Sequence, residues 1–368
     1  MRICLYVNKK RHPFHQISSP SVEDRKKFSE MYERPQPLSD SPWAFDAVWF
    51  MAGNSEGFYL AGGMERRRNR ISNGLLYLVV PGKGLLSNSH LPKTALYPAE
   101  EGTFNARGFH ISPVESMKKW VIIYDGDMKS EDGKSYRVHF KGSWTSEQPW
   151  FSYDTDLHPH LIASALSLEP WSRTYFNTLK KAHQNHYEQV GALQVSLIID
   201  DSLIEIAPAH SFRDHSFGLE RDWNLMHRFA AFMMFLENNH FATVMVVCQP
   251  ATCSEFYIGH VNDGKGNSES IEWCDLELYQ HGEMKMPPLN VAFQFGAGGK
   301  TYTAQIVIEH RAFHFKGFDR QIQMFENFFR CTVNDVPGVG VGEFLYHNEH
   351  VPESDVDTYV KEIMTASK

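Results

Sequence analysis

Hydrophobic and polar residues alternate in short runs along most of the chain, which is the pattern of β-strands with one buried face. Turn-forming pairs such as Gly53-Asn54, Pro81-Gly82 and Asp132-Gly133 separate these runs. Long helical patterns are few, so the sequence predicts an all-β protein built from antiparallel sandwiches or barrels. The clearest predicted strands are Ala44–Met51, Gly57–Ala61, Leu75–Val80, Trp120–Tyr124, Tyr136–Phe140, Gln194–Ile199, Phe241–Cys248, Glu255–His260, Glu272–Tyr279, Asn290–Phe295, Tyr302–Glu309 and Phe325–Val333.

Helical patterns occur in three places. Ser21–Tyr32 and Ser354–Thr365 each begin with a serine that is followed three residues later by an aspartate, which is an approximate capping box. His160–Gln189 lacks β character, and the spacing of its apolar residues predicts one or two helices interrupted at Pro170. This last stretch is therefore expected to connect two halves of the protein.

The segment Phe229–Cys248 supports two interpretations. The run from Ala230 to Leu236 has the composition of a helix, but Asn238-Asn239 follows it. Asparagine adopts left-handed backbone conformations readily and suits a tight turn between antiparallel strands. We predict a β-hairpin here.

The helical connection divides the chain into two halves, each long enough for one eight-stranded barrel. The predicted fold is thus two antiparallel β-barrels in tandem with a few short helices. The expected divisions are an N-terminal strand and helix at 1–34, a first barrel at 35–155, a helical connector at 156–189, a second barrel at 190–350 and a C-terminal helix at 351–368.

Composition narrows the functional classes. The 368 residues carry a net charge of −8, which argues against a nucleic-acid-binding protein, because such proteins are usually basic. The apolar runs are far shorter than the roughly 20 residues of a membrane helix, and the N-terminal residues lack the order of a signal peptide. Five cysteines without a C-x-x-C pair, and no N-x-[ST] sequence, favour a reducing compartment, so we expect a cytoplasmic protein.

Signatures of cofactor and metal chemistry are missing. The chain contains no G-x-x-x-x-G-K-[ST], no G-x-S-x-G and no H-E-x-x-H. Histidines do occur in pairs, such as His183 with His186 and His310 with His314, but no third ligand has suitable spacing. We therefore expect neither an organic cofactor nor a metal site.

The densest polar segment runs from Arg213 to Trp223 and contains two Arg-Asp pairs and a histidine. A carboxylic acid in an apolar pocket has a raised pKa and can donate a proton near neutral pH. In this interpretation Asp214 or Asp222 is the acid, His215 relays the proton, and Arg213 and Arg221 tune the acid. The alternative is a satisfied hydrogen-bonded network that only holds loops together.

The same segment resembles a known family. His186-Tyr187-Glu188-Gln189-Val190-Gly191, Arg213-Asp214-His215-Ser216-Phe217-Gly218 and Arg221-Asp222-Trp223 are similar to an uncharacterised family of tandem lipocalin-like proteins related to hydroxyneurosporene synthase, a carotenoid hydratase, and tocopherol cyclase. Gly340, Gly342 and Glu343 match the end of its second-barrel pattern. Two departures stand out: Phe217 replaces a usual tryptophan, and one extra residue precedes Arg221. Trp43-Ala44-Phe45 and Trp120–Gly126 extend the resemblance to the first half.

This resemblance implies an apolar cavity in which a polyene or prenyl chain is hydrated or cyclised by protonation of an alkene. Aromatic walls would stabilise a cation or hold the substrate in a reactive shape. Each aromatic residue has an alternative role, because a barrel interior must be filled by some side chain. The candidates for substrate contact are Trp223, Phe217, Trp273, Phe293, Phe295 and Tyr302, with Glu343 as a further candidate acid.

Three hypotheses follow. The first is a cofactor-free enzyme that acts on a polyene, terpenoid or similar lipophilic molecule by acid-catalysed hydration, cyclisation or isomerisation. The second is a non-catalytic carrier of a hydrophobic ligand, which predicts that Asp214 and Asp222 are paired with arginines outside the cavity, whereas an enzyme needs at least one of them to face it. The third is a protein-interaction module that uses the arginine run 66–70 as its contact. The sequence leaves the substrate and the oligomeric state open.

Overall fold

The computed structural model describes residues 29–96, 101–281, 286–317 and 320–348. Most of these residues lie in antiparallel strands, so the predicted all-β class is confirmed. The strands of a first sheet are β1 (Phe45–Gly53), β2 (Tyr59–Arg66), β3 (Ser72–Val80), β4 (Gly84–Asn88), β5 (Ala95–Leu96), β6 (Phe104–Ala106), β7 (Phe109–Glu115), β8 (Lys119–Ser130), β9 (Ser135–Thr145), β10 (Phe151–Ser152), β11 (Gln184–Ile199), β12 (Ser202–Ile204) and β13 (Ala209–Gly218).

Eight strands of the first sheet close into a ring in the order β1-β2-β3-β4-β8-β9-β11-β13, because β9 pairs with both β8 and β11 while β13 returns to β1. Alternate side chains point into this ring, as the period of two requires. Phe50, Trp120 and Trp144 form part of its fully buried interior. We call this ring the first barrel.

The first barrel takes strands from beyond the expected boundary. β11 begins at Gln184 and β13 ends at Gly218, whereas the sequence analysis assigned 156–189 to a helical connector and 190–350 to the second barrel. The boundary at residue 190 therefore falls inside a strand of the first barrel. The physical reason is closure: the edges of β1 and β9 need partners, and the pattern of a strand does not say which edge it will join.

The second barrel is a closed ring of eight strands that pair in chain order. The predicted hairpin at Phe229–Cys248 is confirmed, with Asn239 in the turn at φ +63°. Phe232 points into the barrel and Met233 points outward, so both faces are buried and the apolar run shows no alternation. The strands are β14 (Arg228–Leu236), β15 (Phe241–Gln249), β16 (Cys253–Asn262), β17 (Ser268–Cys274), β18 (Asn290–Ala297), β19 (Lys300–Lys316), β20 (Ile322–Val333) and β21 (Val336–His347).

One predicted strand is too long. Glu272–Tyr279 was expected to be extended, but β17 ends at Cys274 and a 3-10 turn occupies Leu278–Gln280. The Cys274 sulfur accepts a hydrogen bond from the backbone N–H of Leu276 at 3.4 Å, a local contact that accompanies the end of the strand.

Two helices follow β10, as the interruption at Pro170 predicts. Helix α1 is Pro159–Ser167 and helix α2 is Arg173–Lys181. The Ser172 hydroxyl caps α2 by accepting a hydrogen bond from the backbone N–H of Tyr175 at 3.0 Å. Of the predicted helix Ser21–Tyr32, the described part from residue 29 is helical and continues to residue 33. The remainder of that helix and all of Ser354–Thr365 lie outside the described residues.

The outer faces of the two barrels pack against each other. Met51, Tyr59 and Phe212 of the first barrel meet Phe235 and Val341 of the second in one buried apolar cluster. In this contact layer the outward-facing side chains of both barrels are buried as well. Any cavity beside the layer is therefore lined by residues from both halves of the chain.

Candidate active site between the barrels

A cavity of about 2010 Å³ lies between the barrels. Its lining comes from outward-facing residues of β1, β2 and β13 on one side and of β15, β16 and β21 on the other, with α1 and α2 adding apolar residues. Two apolar walls dominate it. One is formed by Phe151, Tyr153, Leu157, Ile162, Met245, Val247, Phe256 and Ile258, and the other by Trp223, Met226, Phe229, Met324 and Leu345.

Asp214 faces this cavity from the first barrel. Its neighbours on β13, Arg213 and His215, point into the first barrel, so the alternation of the strand turns Asp214 outward. Within the described residues, no side chain hydrogen-bonds or ion-pairs with the Asp214 carboxylate. Burial raises the pKa of Asp214, and the Glu188 carboxylate raises it further, against the opposing effects of His186 and Arg221.

Glu343 faces the cavity from the second barrel. It lies on β21, where it pairs across the sheet with Ala231 and, on the other side, with Glu326. Burial raises the pKa of Glu343 to about 7; Lys316 opposes this shift and Asp214 adds to it. The site thus has one carboxyl group with a raised pKa on each barrel, Asp214 on the first and Glu343 on the second.

A third carboxyl group, Glu188, is ionised. Its oxygens lie 3.3 Å from His186 Nε2 and 3.3 Å from His260 Nδ1, and Tyr153 donates its hydroxyl to one of them. Burial works against ionisation here, but the hydrogen bond from His186 and the nearby His260 ring lower the pKa of Glu188 to about 2. Phe151 stacks on the His260 ring with centroids 4.3 Å apart, which holds this cluster against the apolar wall.

The remaining polar residues of the segment border the same cavity. The Arg221 guanidinium bonds Glu65 Oε2 at 3.0 Å and Ser216 Oγ at 2.8 Å, and it lies 3.8 Å from the centre of the Phe45 ring. Asp222 accepts hydrogen bonds at 2.9 Å from the backbone and side chain of Asn224, so it caps a turn.

Lys316 and two tryptophans complete this border. The Lys316 ammonium lies 4.7 Å from the centre of the Trp49 ring and 5.6 Å from that of Trp223. All three side chains line the cavity, so Lys316 joins Arg221 as a cation at the cavity that Asp214 and Glu343 face.

Arg213 does not reach the cavity, contrary to its expected role of tuning the acid. Its guanidinium lies inside the first barrel, 2.8 Å from Glu33 Oε1 and 2.7 Å from Gln189 Oε1, between the rings of Trp120 and Trp144. Glu33 belongs to the helical residues 29–33, so this ion pair attaches that segment to the barrel interior.

His215 likewise points into the first barrel, and the expected relay to Asp214 does not form. Its Nε2 lies 2.6 Å from Asp46 Oδ1 and its Nδ1 lies 3.0 Å from the Tyr187 hydroxyl. Phe217 packs on the His215 ring on the same inner face, with centroids 5.3 Å apart. The reason is the strand period: residues 213, 215 and 217 share one face, and 214 occupies the other.

Four expected substrate contacts also lie elsewhere. Phe293 and Phe295 belong to the interior of the second barrel, with Tyr302 stacked on Phe295 at 5.1 Å. Trp273 is 40% exposed and covers Gly296 on the outside of that barrel. The first three fill a barrel core, the alternative that the sequence analysis left open. Of the seven expected contact residues, the cavity contains Trp223 and Glu343.

The arginine run is engaged within the protein. Arg66 pairs with Asp46, Arg67 with Glu65 at 2.8 Å, and Arg68 with Asp40 at 3.2 Å. These contacts attach residues 36–46 to the first barrel, whereas Arg70 is exposed, so the interaction-module hypothesis stays a prediction.

Several cavity residues were not assigned a role from sequence. His186, which lines the cavity, and Glu188, which contacts His186, stand in the segment that carries the family resemblance, so that segment already contained the signal for them. Tyr153 and Lys316 had no signal, because neither belongs to a motif and only the packing of the two barrels brings them to the cavity. In the described part of the chain no group of three or more potential metal ligands forms, and no helix there is long and apolar enough to cross a membrane.

The fold and the site define a class of protein: two eight-stranded antiparallel barrels in tandem, with an acidic, largely apolar cavity between them. The chain belongs to the family described as "Family of unknown function (DUF8627)", whose model matches residues 4–346. No curated protein matches the sequence significantly.

Solved structures share the fold. Kievitone hydratase from Nectria haematococca aligns with a TM-score of 0.56 and 11% identity, covering 86% of this chain and 92% of its own. CghA in complex with Sch210972 aligns with a TM-score of 0.50 and 8% identity, covering 88% and 98%. At these identities the likeness establishes the architecture. The relation to hydroxyneurosporene synthase and tocopherol cyclase stays a prediction.

Proposed function

We propose that this protein is a cofactor-free enzyme that acts on a lipophilic, polyunsaturated or terpenoid molecule in the cavity between the barrels. The observation that carries the proposal is Asp214: a half-buried carboxyl group that faces an apolar cavity, lacks an arginine partner among the described residues, and has a raised pKa. A carrier has no need of such a group, since a buried polar group without a partner costs stability.

The cavity supports a lipophilic substrate. Its walls are mainly aromatic and aliphatic, and its volume exceeds the roughly 300–1,000 Å³ of a typical small-molecule site. Kievitone hydratase, by its name, adds water to its substrate and has this fold. Together these features favour a bulky hydrophobic substrate over a small polar one.

The proposed reaction begins with proton transfer. The O–H bond of Asp214 breaks, a C–H bond forms on one alkene carbon, and a carbocation remains that the aromatic wall stabilises. Water that adds to the cation and returns a proton to the Asp214 carboxylate completes a hydration. Loss of a neighbouring proton to the carboxylate instead gives an isomer. Attack by a second alkene forms a C–C bond and a new cation, which then loses a proton to the carboxylate and leaves a ring. Each route restores the acid and requires no cofactor.

The test begins with the ligand. Organic extraction and native mass spectrometry of protein purified from its own source, followed by a panel of polyenes, terpenoids and fatty acids, identify what the cavity binds. Turnover of the bound class is then compared between wild type, Asp214→Asn and Asp222→Asn. Because a general acid contributes at least about 100-fold, Asp214→Asn should lose that factor. Asp222→Asn is the matched control, since asparagine also caps a turn.

The alternative is a carrier for a hydrophobic ligand. It is favoured by the position of His215 and Arg213, because the most polar part of the segment serves the interior of the first barrel. Ligand binding with no chemical change in wild type, and equal affinity in Asp214→Asn, would establish the carrier. Turnover that persists in Asp214→Asn would exclude Asp214 as the acid.

A further inference from the structure

Glu326 is a buried acid that the proposed function leaves unused. It lies on β20, is 0% exposed, and neither of its carboxylate oxygens has a hydrogen-bond partner among the described residues. Its directly opposite neighbour on β21 is Glu343, whose side chain lines the cavity. Directly opposite residues in an antiparallel pair have Cβ atoms about 4.5–5.5 Å apart, so the two carboxyl groups can touch.

The groups around this pair do not neutralise two negative charges. On β19, Lys316 supplies one cation and His314 is fully buried, with both ring nitrogens unpartnered among the described residues. Burial and the Lys316 ammonium lower the pKa of His314 well below its ordinary value, so that ring is neutral.

Within the described part of the first barrel, no further cation is free to pair with the two glutamates. Tyr77 faces Glu326 from β3, and burial together with this glutamate raises the pKa of the Tyr77 phenol far above its usual range, so that it too is neutral. Asp214 faces Glu343 and supplies no cation, while Arg221 is already paired with Glu65.

We propose that at neutral pH Glu326 keeps one proton, which it shares with Glu343 through a hydrogen bond. A second proton, carried by Glu343 itself, is presented to the cavity opposite Asp214. The site would then have two acids, one from each barrel. The catalytic role of this acid pair rests on the proposed function, but the existence of the shared proton does not.

Electrostatics supports this arrangement. Two carboxyl groups in contact and out of water cannot both ionise, so their protons leave in two separated steps that belong to the pair. Burial and the neighbouring Glu343 raise the pKa of Glu326 well above its ordinary value, and burial raises that of Glu343 to about 7. Glu326 thus keeps its proton when Glu343 gives one up.

The pair gives Glu326 a positioning role. When the Glu343 O–H bond breaks and the proton passes to a substrate carbon, the Glu326 hydroxyl donates a hydrogen bond to the new Glu343 carboxylate. The substrate cation later returns a proton to Glu343, so the charge and the protons balance over one cycle. Glu326 itself never touches the substrate.

The test uses the ligand-free, full-length protein. Infrared spectroscopy follows the carbonyl stretch of protonated carboxyl groups between pH 5 and pH 9. The variants are Glu326→Gln and Glu343→Gln, which keep the shape of the side chain, and Glu269→Gln, an exposed control on β17. Thermal unfolding verifies that each variant is folded.

Apart from the signal of Asp214, wild type should show two protonated-carboxyl signals from this pair, one that fades around pH 7 and one that persists at pH 8. Glu343→Gln should remove the first and Glu326→Gln the second, while Glu269→Gln changes neither. A wild-type spectrum without a protonated carboxyl group at pH 8, or a signal there that survives in Glu326→Gln, overturns the shared proton.

Turnover separates the two proposals. The pH dependence of turnover is then measured with a working substrate. In Glu326→Leu the Glu343 carboxylate loses its hydrogen-bond donor, so the pH at which activity falls should move upward by about one unit. Glu326→Gln retains a donor, so its shift should be smaller. An unmoved profile in Glu326→Leu overturns the positioning role. If no ligand is ever turned over, the proposed function fails, while the infrared spectra still show whether Glu326 and Glu343 share a proton.

Discussion

Replacement of Arg213 by methionine tests whether the most polar part of the segment serves stability or catalysis. The guanidinium and the Glu33 carboxylate form an ion pair at 2.8 Å, and their side chains are 1% and 2% exposed. Methionine has a similar length and packs between the same two tryptophan rings, but it carries no charge. The Arg213→Met variant therefore leaves Glu33 as a buried carboxylate without its cation.

The expected cost is about 3–5 kcal/mol of the free energy of unfolding, which is typical when one partner of a buried ion pair is removed. The lower end is expected, because Glu33 keeps three donors: the Trp120 indole at 2.7 Å, the backbone N–H of Met117 at 2.9 Å and the Tyr187 hydroxyl at 2.5 Å.

The loss should depend on pH in a definite direction. In wild type, burial opposes ionisation of Glu33, yet Arg213 and the hydrogen bonds lower its pKa. The ionised Glu33 carboxylate therefore stabilises the folded state at neutral pH, and this stabilisation is lost in acid. In the variant, burial prevails and the pKa of Glu33 rises, so the folded state regains stability as the carboxylate takes up a proton. The difference between the two proteins should be largest near pH 7 and shrink toward pH 4.

The assay is chemical denaturation of wild type, Arg213→Met, Glu33→Gln and the double variant, at pH 7 and pH 4. The double variant should recover part of the loss, because neither group is then an unpaired charge. Arg68→Met is the matched control: its pair with Asp40 is at the surface and should contribute less than about 1 kcal/mol. A loss below 1 kcal/mol for Arg213→Met, or one that is equal at both pH values, would refute a structural ion pair.

Two further perturbations are expected to act on stability. Burial opposes ionisation of Glu188, but its histidine partners lower its pKa to about 2, so this carboxylate should stabilise the protein by about 3 kcal/mol above pH 4.5 and lose that effect as the pH falls toward 2. Unfolding followed against pH should therefore show a shallower acid limb in Glu188→Gln, and an unchanged limb would contradict this. Gly63→Ala should cost about 3 kcal/mol, since its Cβ would lie 2.3 Å from the Val48 carbonyl oxygen. Gly74→Ala is the comparison, because there the nearest atoms belong to side chains, at 3.0 and 3.2 Å, and its loss of stability should be smaller. Equal decreases in melting temperature in the two variants would argue against a backbone clash.

Much of the fold was predictable because its signals are local. Alternating runs gave most of the longer strands, Asn238-Asn239 gave the β14–β15 hairpin, and Pro170 gave the break between α1 and α2. Short strands such as β6 and β10 were missed, since two or three residues carry too little pattern. The membership of β11 and β13 in the first barrel was missed for a different reason, because closure joins edges that are far apart in sequence.

The candidate site was predictable only in part. Of the predicted site residues, Asp214, Arg221, Asp222, Trp223 and Glu343 line one cavity, and their roles there stay predictions. It failed for His215, because neighbours on a strand face opposite ways and a relay between positions 214 and 215 is therefore geometrically excluded.

The sequence by itself determined the all-β class, the tandem arrangement and an acidic polar segment in the second half, because strand period, turn chemistry and charge are properties of short stretches. Only the tertiary structure decided that the cavity lies between the barrels and that Glu188, Lys316 and Glu326 belong to its surroundings. These residues come together because both barrels bury their outer faces against each other, and the burial that perturbs the carboxyl groups exists only after that contact has formed.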